Sequence, residues 1–317
     1  MNTYRPEGAL ISSAVNYEYL SSAEGLERAA ERGIILEGMV TLCDHELNLR
    51  VDLPSGVAGI IPKSEALLSK EGNHAKDIAI LTRVGKPVCF KIIGFDTDSY
   101  GRKRAILSRR AAQKECLDYY VSTLCPGDII PARITHLENF GAFVDIGCGI
   151  ISLLSIDCIS VSRISHPSER LSVGDRINVI VKSIDEKGRI FVSLRELLGT
   201  WCENASLFSE GETVSGTVRG VESYGIFVEL SPNLAGLAEY RDNVFSGQTA
   251  AVYIKSIIPE KMKIKLIIID AQYTNTGTEP LKYFIDTESV THLDRWIYSP
   301  KTAERVVESV FLANDYT

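Results

Sequence analysis

Along most of the chain apolar and polar residues alternate with a period of two, and glycines punctuate the alternation. One such run is Val173-Gly174-Asp175-Arg176-Ile177-Asn178-Val179-Ile180-Val181-Lys182-Ser183-Ile184. A second is Ser246-Gly247-Gln248-Thr249-Ala250-Ala251-Val252-Tyr253-Ile254-Lys255-Ser256-Ile257. Alternation bounded by glycine predicts strands that bury one face. Each run leads into a shorter strand, Gly188-Arg189-Ile190-Phe191-Val192-Ser193-Leu194 or Met262-Lys263-Ile264-Lys265-Leu266. Upstream of each lies an aromatic strand, Asn139-Phe140-Gly141-Ala142-Phe143-Val144-Asp145-Ile146 or Ser223-Tyr224-Gly225-Ile226-Phe227-Val228-Glu229-Leu230. The two copies are 84 residues apart and need no gap. A fixed period marks a unit duplicated in tandem.

A fainter copy precedes these two. Glu37-Gly38-Met39-Val40, Val84-Gly85-Lys86-Pro87-Val88-Cys89-Phe90-Lys91-Ile92 and Arg104-Ala105-Ile106-Leu107-Ser108-Arg109-Arg110 parallel the corresponding strands downstream. The joints, Ala111 to Leu124 and Arg195 to Phe208, are rich in helix formers and broken only by Gly199. Ser21-Ser22-Ala23-Glu24 predicts a capped helix before the first unit, and Ser299-Pro300 a final helix running to about Leu312. Thr274-Asn275-Thr276-Gly277-Thr278 reads as a linker. The expected division is a helical segment 1–34, barrels 35–110, 125–195 and 209–270, and a helical tail 271–317. With about five short strands per unit, the fold class is mainly β, a series of partly open Greek-key barrels of the oligonucleotide/oligosaccharide-binding (OB) type joined by helical linkers.

The aromatic strand carries the candidate chemistry. Phe140 and Phe143, three apart, would face opposite sides of a regular strand. A bulge at Gly141 would bring both rings to one face and leave Ala142, Val144 and Ile146 pointing inward. Exposed rings form a stacking platform for nucleobases; the alternative is that both belong to the core. Tyr224 and Phe227 repeat the arrangement, and Arg133 and Arg219 supply a basic residue ahead of each pair.

Composition narrows the functional class. With 45% apolar and 24% charged residues, the 317-residue chain has material for two or three cores. Seven scattered cysteines without a Cys-x-x-Cys pair read as reduced thiols in a cytosolic protein. Met1 to Gly8 lacks the pattern of a secretory leader, and no apolar run approaches the roughly 20 residues that span a bilayer. The net charge of −7 means that affinity for phosphates must come from local faces. Residues 35–113 carry 12 Lys+Arg against 9 Asp+Glu, while 208–270 carry 6 against 8.

The run from Arg133-Ile134 through Phe140-Gly141-Ala142-Phe143-Val144-Asp145-Ile146-Gly147, then Val173-Gly174-Asp175, then Ile184-Asp185 and Arg189-Ile190 with Leu194, resembles the S-one (S1) RNA-binding domain. The resemblance extends over 125–195 and 210–270 and, faintly, over 35–110. It implies a binding face of two aromatics, a His after the third strand, and an Asp and an Arg flanking the last turn. The second unit keeps Asp185 and Arg189 but has Ser152 or Ser155 at the His position. The third has Glu239 there and Lys263 in place of the Arg. The first keeps Asp96 and Arg104 beside Arg102 and Lys103, with Leu47 and Leu49 where the rings belong, so it would either contact the RNA backbone electrostatically or dock to protein, and Gly101-Arg102-Lys103-Arg104 has a solvated hairpin tip as its alternative.

The expectation is a cytosolic, non-enzymatic protein, with neither cofactor nor small-molecule substrate, that binds single-stranded RNA in translation or RNA metabolism. Partners would be mRNA or the ribosome, and no membrane. The second barrel would be the principal site. The rival is a protein-docking adaptor built on barrels that have lost RNA. An enzyme is disfavoured because the flanks are too short for a catalytic domain. Asp96-Thr97-Asp98-Ser99-Tyr100-Gly101 opens like a calcium loop but has Leu107 where a bidentate Glu is required. Gly147-Cys148-Gly149 lacks a third glycine and a following helix. His136 reads as a satisfied surface residue, with a place in the groove as the alternative.

Overall fold

The computed structural model describes residues 4–68, 77–274 and 280–311. Along them run three closed five-stranded barrels. The first uses β1 (Leu36–Cys43), β2 (Leu49–Asp52), β3 (Ala58–Ile61), β4 (Pro87–Thr97) and β5 (Lys103–Ser108). The second uses β6 (Ile129–Glu138), β7 (Gly141–Asp145), β8 (Ile151–Ser155), β9 (Arg176–Ile184) and β10 (Ile190–Ser193). The third uses β11 (Thr213–Glu222), β12 (Gly225–Ser231), β13 (Leu234–Ala238), β14 (Thr249–Ile258) and β15 (Lys263–Gln272). In each the third and fifth strands run parallel, closing an otherwise antiparallel sheet in the same order. This is the OB-type architecture that the strand pattern predicts. Ala142, Val144 and Ile146 are sealed inside, as the alternation requires.

The helices fall at the predicted joints. Ser22 accepts from the Gly25 amide and starts α2 (Ala23–Arg32), which Gly33 ends at φ 58°. It is preceded by α1 (Ala14–Leu20), which the sequence reading missed. Ser108 likewise caps α4 (Arg109–Tyr119), which follows the short α3 (Asp77–Leu81). Between the second and third barrels Gly199, at φ 87°, separates a 3-10 turn from α5 (Trp201–Ala205).

The C-terminal helix is not there. Residues 299–311 form turns and a strand, β17 (Glu308–Val310), that pairs antiparallel with β16 (Arg295–Ile297). Pro300 opens a turn closed by the Ala303 amide, and the β-branched run Val306-Val307 returns the chain as an extended segment. Trp296, Tyr298 and Phe311 are buried in the apolar cluster of the third barrel. Burial of these large rings outweighs the helix signal of Ser-Pro. The predicted linker at 274–278 lies, apart from Thr274, outside the described residues.

The chain divides into two compact units. One contains residues 1–124, 131–133 and 145–151; the other contains 125–130, 134–144 and 152–317. Within the first, residues 4–13 lie against a buried charge network. The fully buried Arg109 donates twice to Glu7, at 2.6 and 2.9 Å, and the Cys89 amide donates to the same carboxylate at 3.1 Å. The Glu7 amide donates to Asp145, which also accepts from the amides of Gly147 and Gly149. Glu37 accepts from the amides of Gly8 and Leu10. Burial pushes the Glu7 carboxyl up, and the Arg109 guanidinium outweighs it, so the group stays below its ordinary value.

Glu7→Gln leaves Arg109 buried beside a neutral amide, and is expected to destabilise the first unit by roughly 3 kcal/mol or more in urea unfolding. Burial pushes Glu37 up to about 7 from 4.5, despite the Leu10 and Gly8 amides. Burial and the Glu7 charge push Asp145 up to about 7 as well. The folded chain therefore holds protons that the unfolded chain releases, and the contribution of these groups to stability falls as pH rises from about 4 to about 7. Glu37→Gln should reduce that fall, read as urea midpoints across the window.

Candidate nucleic-acid interface

The turns Asn139-Phe140 and Ser223-Tyr224 join the first two strands of the second and third barrels. Phe140 and Tyr224 thus sit in hairpin turns, not in strands. Each ring meets the next aromatic edge to face: Phe140 and Phe143 at 6.0 Å and 88°, Tyr224 and Phe227 at 6.1 Å and 86°. Phe140 is 53% exposed and Tyr224 67%. Phe143 and Phe227 are half-buried beneath them. Both pairs lie on the outside of their barrels, so the rings are not core residues.

No bulge at the glycine is needed. In the third barrel the irregularity lies in β11, between Val218 and Gly220, while Gly225 pairs regularly with Glu222. The glycines serve a close approach instead. A Cβ on Gly141 would stand 2.3 Å from the Leu154 carbonyl oxygen, and one on Gly225 2.6 Å from that of Ala238. Only glycine lets the second strand lie this close to the third.

The sequence undervalued one neighbour. His136 stacks on Phe143 with ring centroids 6.4 Å apart and planes at 21°, and its Nε2 lies 2.8 Å from Glu138. An imidazole stacked nearly parallel to Phe143 adds a further ring to the aromatic pair. Its position on β6, two residues beyond the burial alternation, was the available signal. At the opposite hairpin Asp185 accepts from the Arg189 and Lys187 amides, at 2.8 and 3.0 Å, and from the Arg189 guanidinium at 2.7 Å. The Arg189 amide foremost, then its guanidinium, hold the Asp185 carboxyl below its usual range. The Arg189 side chain remains largely exposed.

Several expected groups are placed elsewhere. Ser152 is buried and donates to the Ile190 carbonyl at 2.6 Å, so of the two serines only Ser155, half-exposed and hydrogen-bonded to Asp157, lies at the surface. Arg133 donates to the Glu7 carbonyl at 2.8 Å. Arg219 is not its equivalent: at the 84-residue offset it corresponds to Thr135. Its guanidinium, largely buried, is held by Glu229 and Glu169, and Glu229 also binds Arg170. Each of the two arginines therefore anchors its own unit. Lys263 and Glu239 of the third barrel are exposed.

The first barrel differs more. Leu49 faces the core and Leu47 packs against it, while the outward position of β2 belongs to Arg50, paired with Asp52. Arg104 makes a two-point contact with Asp96, Arg102 with Asp98, and Lys103 with Glu27 of α2 while lying over the Phe95 ring. Each of these cations is paired with a carboxylate of the unit, as Arg189 is with Asp185, and the Arg102 side chain remains largely exposed. Among the described residues no group of three or more His, Cys, Asp or Glu could hold a metal, and no helix is long and apolar enough to cross a membrane.

Comparison with known proteins agrees with this geometry. A family model described as the S1 RNA binding domain matches residues 124–195, the second barrel. The small ribosomal subunit protein bS1 of Staphylococcus saprophyticus is 29% identical over 301 residues, 90% of this chain and 72% of that protein. The S. epidermidis bS1 is 32% identical over 236 residues, 73% of this chain and 57% of that protein. The bS1 of S. aureus strain MRSA252 is 31% identical over 310 residues, 95% of this chain and 74% of that protein. An S1-type barrel in the middle and this identity over nearly the whole chain show that the chain belongs to the bS1 ribosomal protein family.

Proposed function

We propose that the chain binds single-stranded RNA in translation, with mRNA or ribosomal RNA as the ligand, and that the second barrel is its principal site. The observation that carries this reading is the ring pair Phe140–Phe143, partly exposed and extended by His136 on one side of a closed barrel. Unstacked bases have π faces that rings of this kind accept at about 1 to 3 kcal/mol each. Arg189, held by Asp185 at the hairpin, is placed to meet a phosphate. The third barrel repeats the ring pair and offers Lys263 at the corresponding end, which makes it a second, weaker site. Such a protein acts in the cytosol, where translation occurs.

Two sites on one chain raise apparent affinity, because a strand held by one is presented to the other at high effective concentration. The first barrel, which carries Leu47 and Leu49 in place of a ring pair, serves as a scaffold in this reading.

Titration of a labelled single-stranded RNA tests the proposal. Phe140→Ala with Phe143→Ala should weaken binding by about thirtyfold or more, from two lost stacking positions. Tyr224→Ala with Phe227→Ala should weaken it less. Affinity unchanged by the first pair would refute the platform. Salt separates the adaptor alternative. Binding through phosphates makes log affinity fall linearly with log salt, by about 0.7 per phosphate contact, and an apolar protein interface lacks that slope.

A further inference from the structure

Strand register shows a position that the sequence did not single out. In the third barrel Phe227 lies opposite Leu237, Leu237 opposite Lys265, and Lys265 opposite Ser256. Residues directly opposite share a face of the sheet. Phe227, Leu237 and Lys265 therefore form one outward row that begins at the ring pair. In the second barrel Leu153 lies opposite Phe191, and Phe191 opposite Ser183. Gly141 against the Leu154 carbonyl, the counterpart of Gly225 against that of Ala238, fixes the same register between β7 and β8. The row there is Phe143, Leu153, Phe191, with Leu153 and Phe191 half-exposed. In the first barrel the corresponding row is Arg50, Ile60, Ile106.

The second and third barrels thus differ in this row only at its place on the last strand, Phe191 or Lys265, whereas the first barrel differs throughout and has Ile106 there. Beside it, in both the second and third barrels, the fourth strand carries an irregularity that sets a lysine out of register, Lys182 or Lys255. The rows are otherwise matched, so a ring or an ammonium at this place decides what the far end of the platform accepts.

We propose that Phe191 is a third stacking position of the second barrel, so that this barrel takes one more nucleobase across Leu153. In the third barrel Lys265 takes a phosphate at the same place. The two sites then read different parts of the same strand, bases in one and backbone in the other. The inference rests on the reading that the Phe140–Phe143 platform binds single-stranded RNA. Half-exposed Phe191 has an apolar face that water solvates poorly and a base covers well. Lys265, exposed beside Lys255, forms a two-cation end to its row.

The test uses the full chain and a fluorescent oligouridylate of about 12 nucleotides, with affinity measured over a salt series. Phe191→Ala is expected to weaken binding by about 5- to 150-fold at an unchanged salt slope. Phe191→Trp should restore binding, and Lys265→Ala should lower the slope by about 0.7. If Phe191→Ala binds within about twofold of the wild type while Phe140→Ala with Phe143→Ala is impaired, the third position is overturned and the platform stands. If the Phe140/Phe143 pair has no effect, the underlying reading fails and this inference with it. A loss in Phe191→Ala that comes with a lowered melting temperature and is not restored by Trp assigns Phe191 to folding and overturns the proposal.

Discussion

The exposed ring pairs depend on how closely the second strand of the second and third barrels approaches the third strand. Gly141 and Gly225 bring their backbones within reach of the Leu154 and Ala238 carbonyls, where any side chain would collide. That contact starts each second strand directly after a two-residue turn and fixes its register. The period of two then sends Ala142 and Val144 inward and Phe143 outward, and leaves Phe140 in the turn against the Phe143 edge. Moving the register by one residue would bury the rings and expose the core, so the platform and the barrel interior are fixed by the same contact. The first barrel shows the converse: it has no glycine before Leu49, its turn runs through Leu47 at φ 65°, and it carries no ring pair.

A second pair of equivalent residues shows how a duplicated unit diverges. Asp145 and Glu229 hold the fifth position of the second strand, 84 residues apart, and both are buried acids that accept several hydrogen bonds. Asp145 holds the amides of Glu7, Gly147 and Gly149, whereas the longer Glu229 reaches Arg170 and Arg219. A buried acid needs donors, and each copy found them in the segment nearest to it. Arginines that look like binding groups in the sequence are drawn into this structural requirement. Arg219 is the clearest case, because its carboxylate partners lie 10 and 50 residues away and no spacing reveals the second.

The parts of the fold set by local pattern were legible in the sequence. Alternation, glycine punctuation and the repeated aromatic strand gave fifteen strands in three barrels, and Ser22 sits where capping chemistry puts it. What local pattern does not contain was missed. The Ser299-Pro300 signal lost to burial of Trp296, Tyr298 and Phe311, whose partners lie in the third barrel. The inward direction of Ser152 follows from its place on β8, but the sequence left the choice between Ser152 and Ser155 open. Phe191 required register, since it lies 48 residues past Phe143 in sequence.

The acidic total of the chain and an RNA-binding role fit together once the cations are assigned. Arg50, Arg102, Lys103 and Arg104 in the first unit, and Arg170 and Arg219 in the second, all contact carboxylates of their own unit. Cations so engaged release few counterions on meeting a phosphate chain, so they add little to non-specific attraction. The proposed affinity must then come mainly from stacking, which is short-ranged and works only on bases that are already unpaired. A duplex offers such a surface nothing to stack on, because its bases are already covered. In the proposed site, exposed rings set on a barrel of low basicity would therefore select for single-stranded segments by the absence of an alternative, and Arg189 and Lys263 at the hairpin ends would orient the strand rather than attract it.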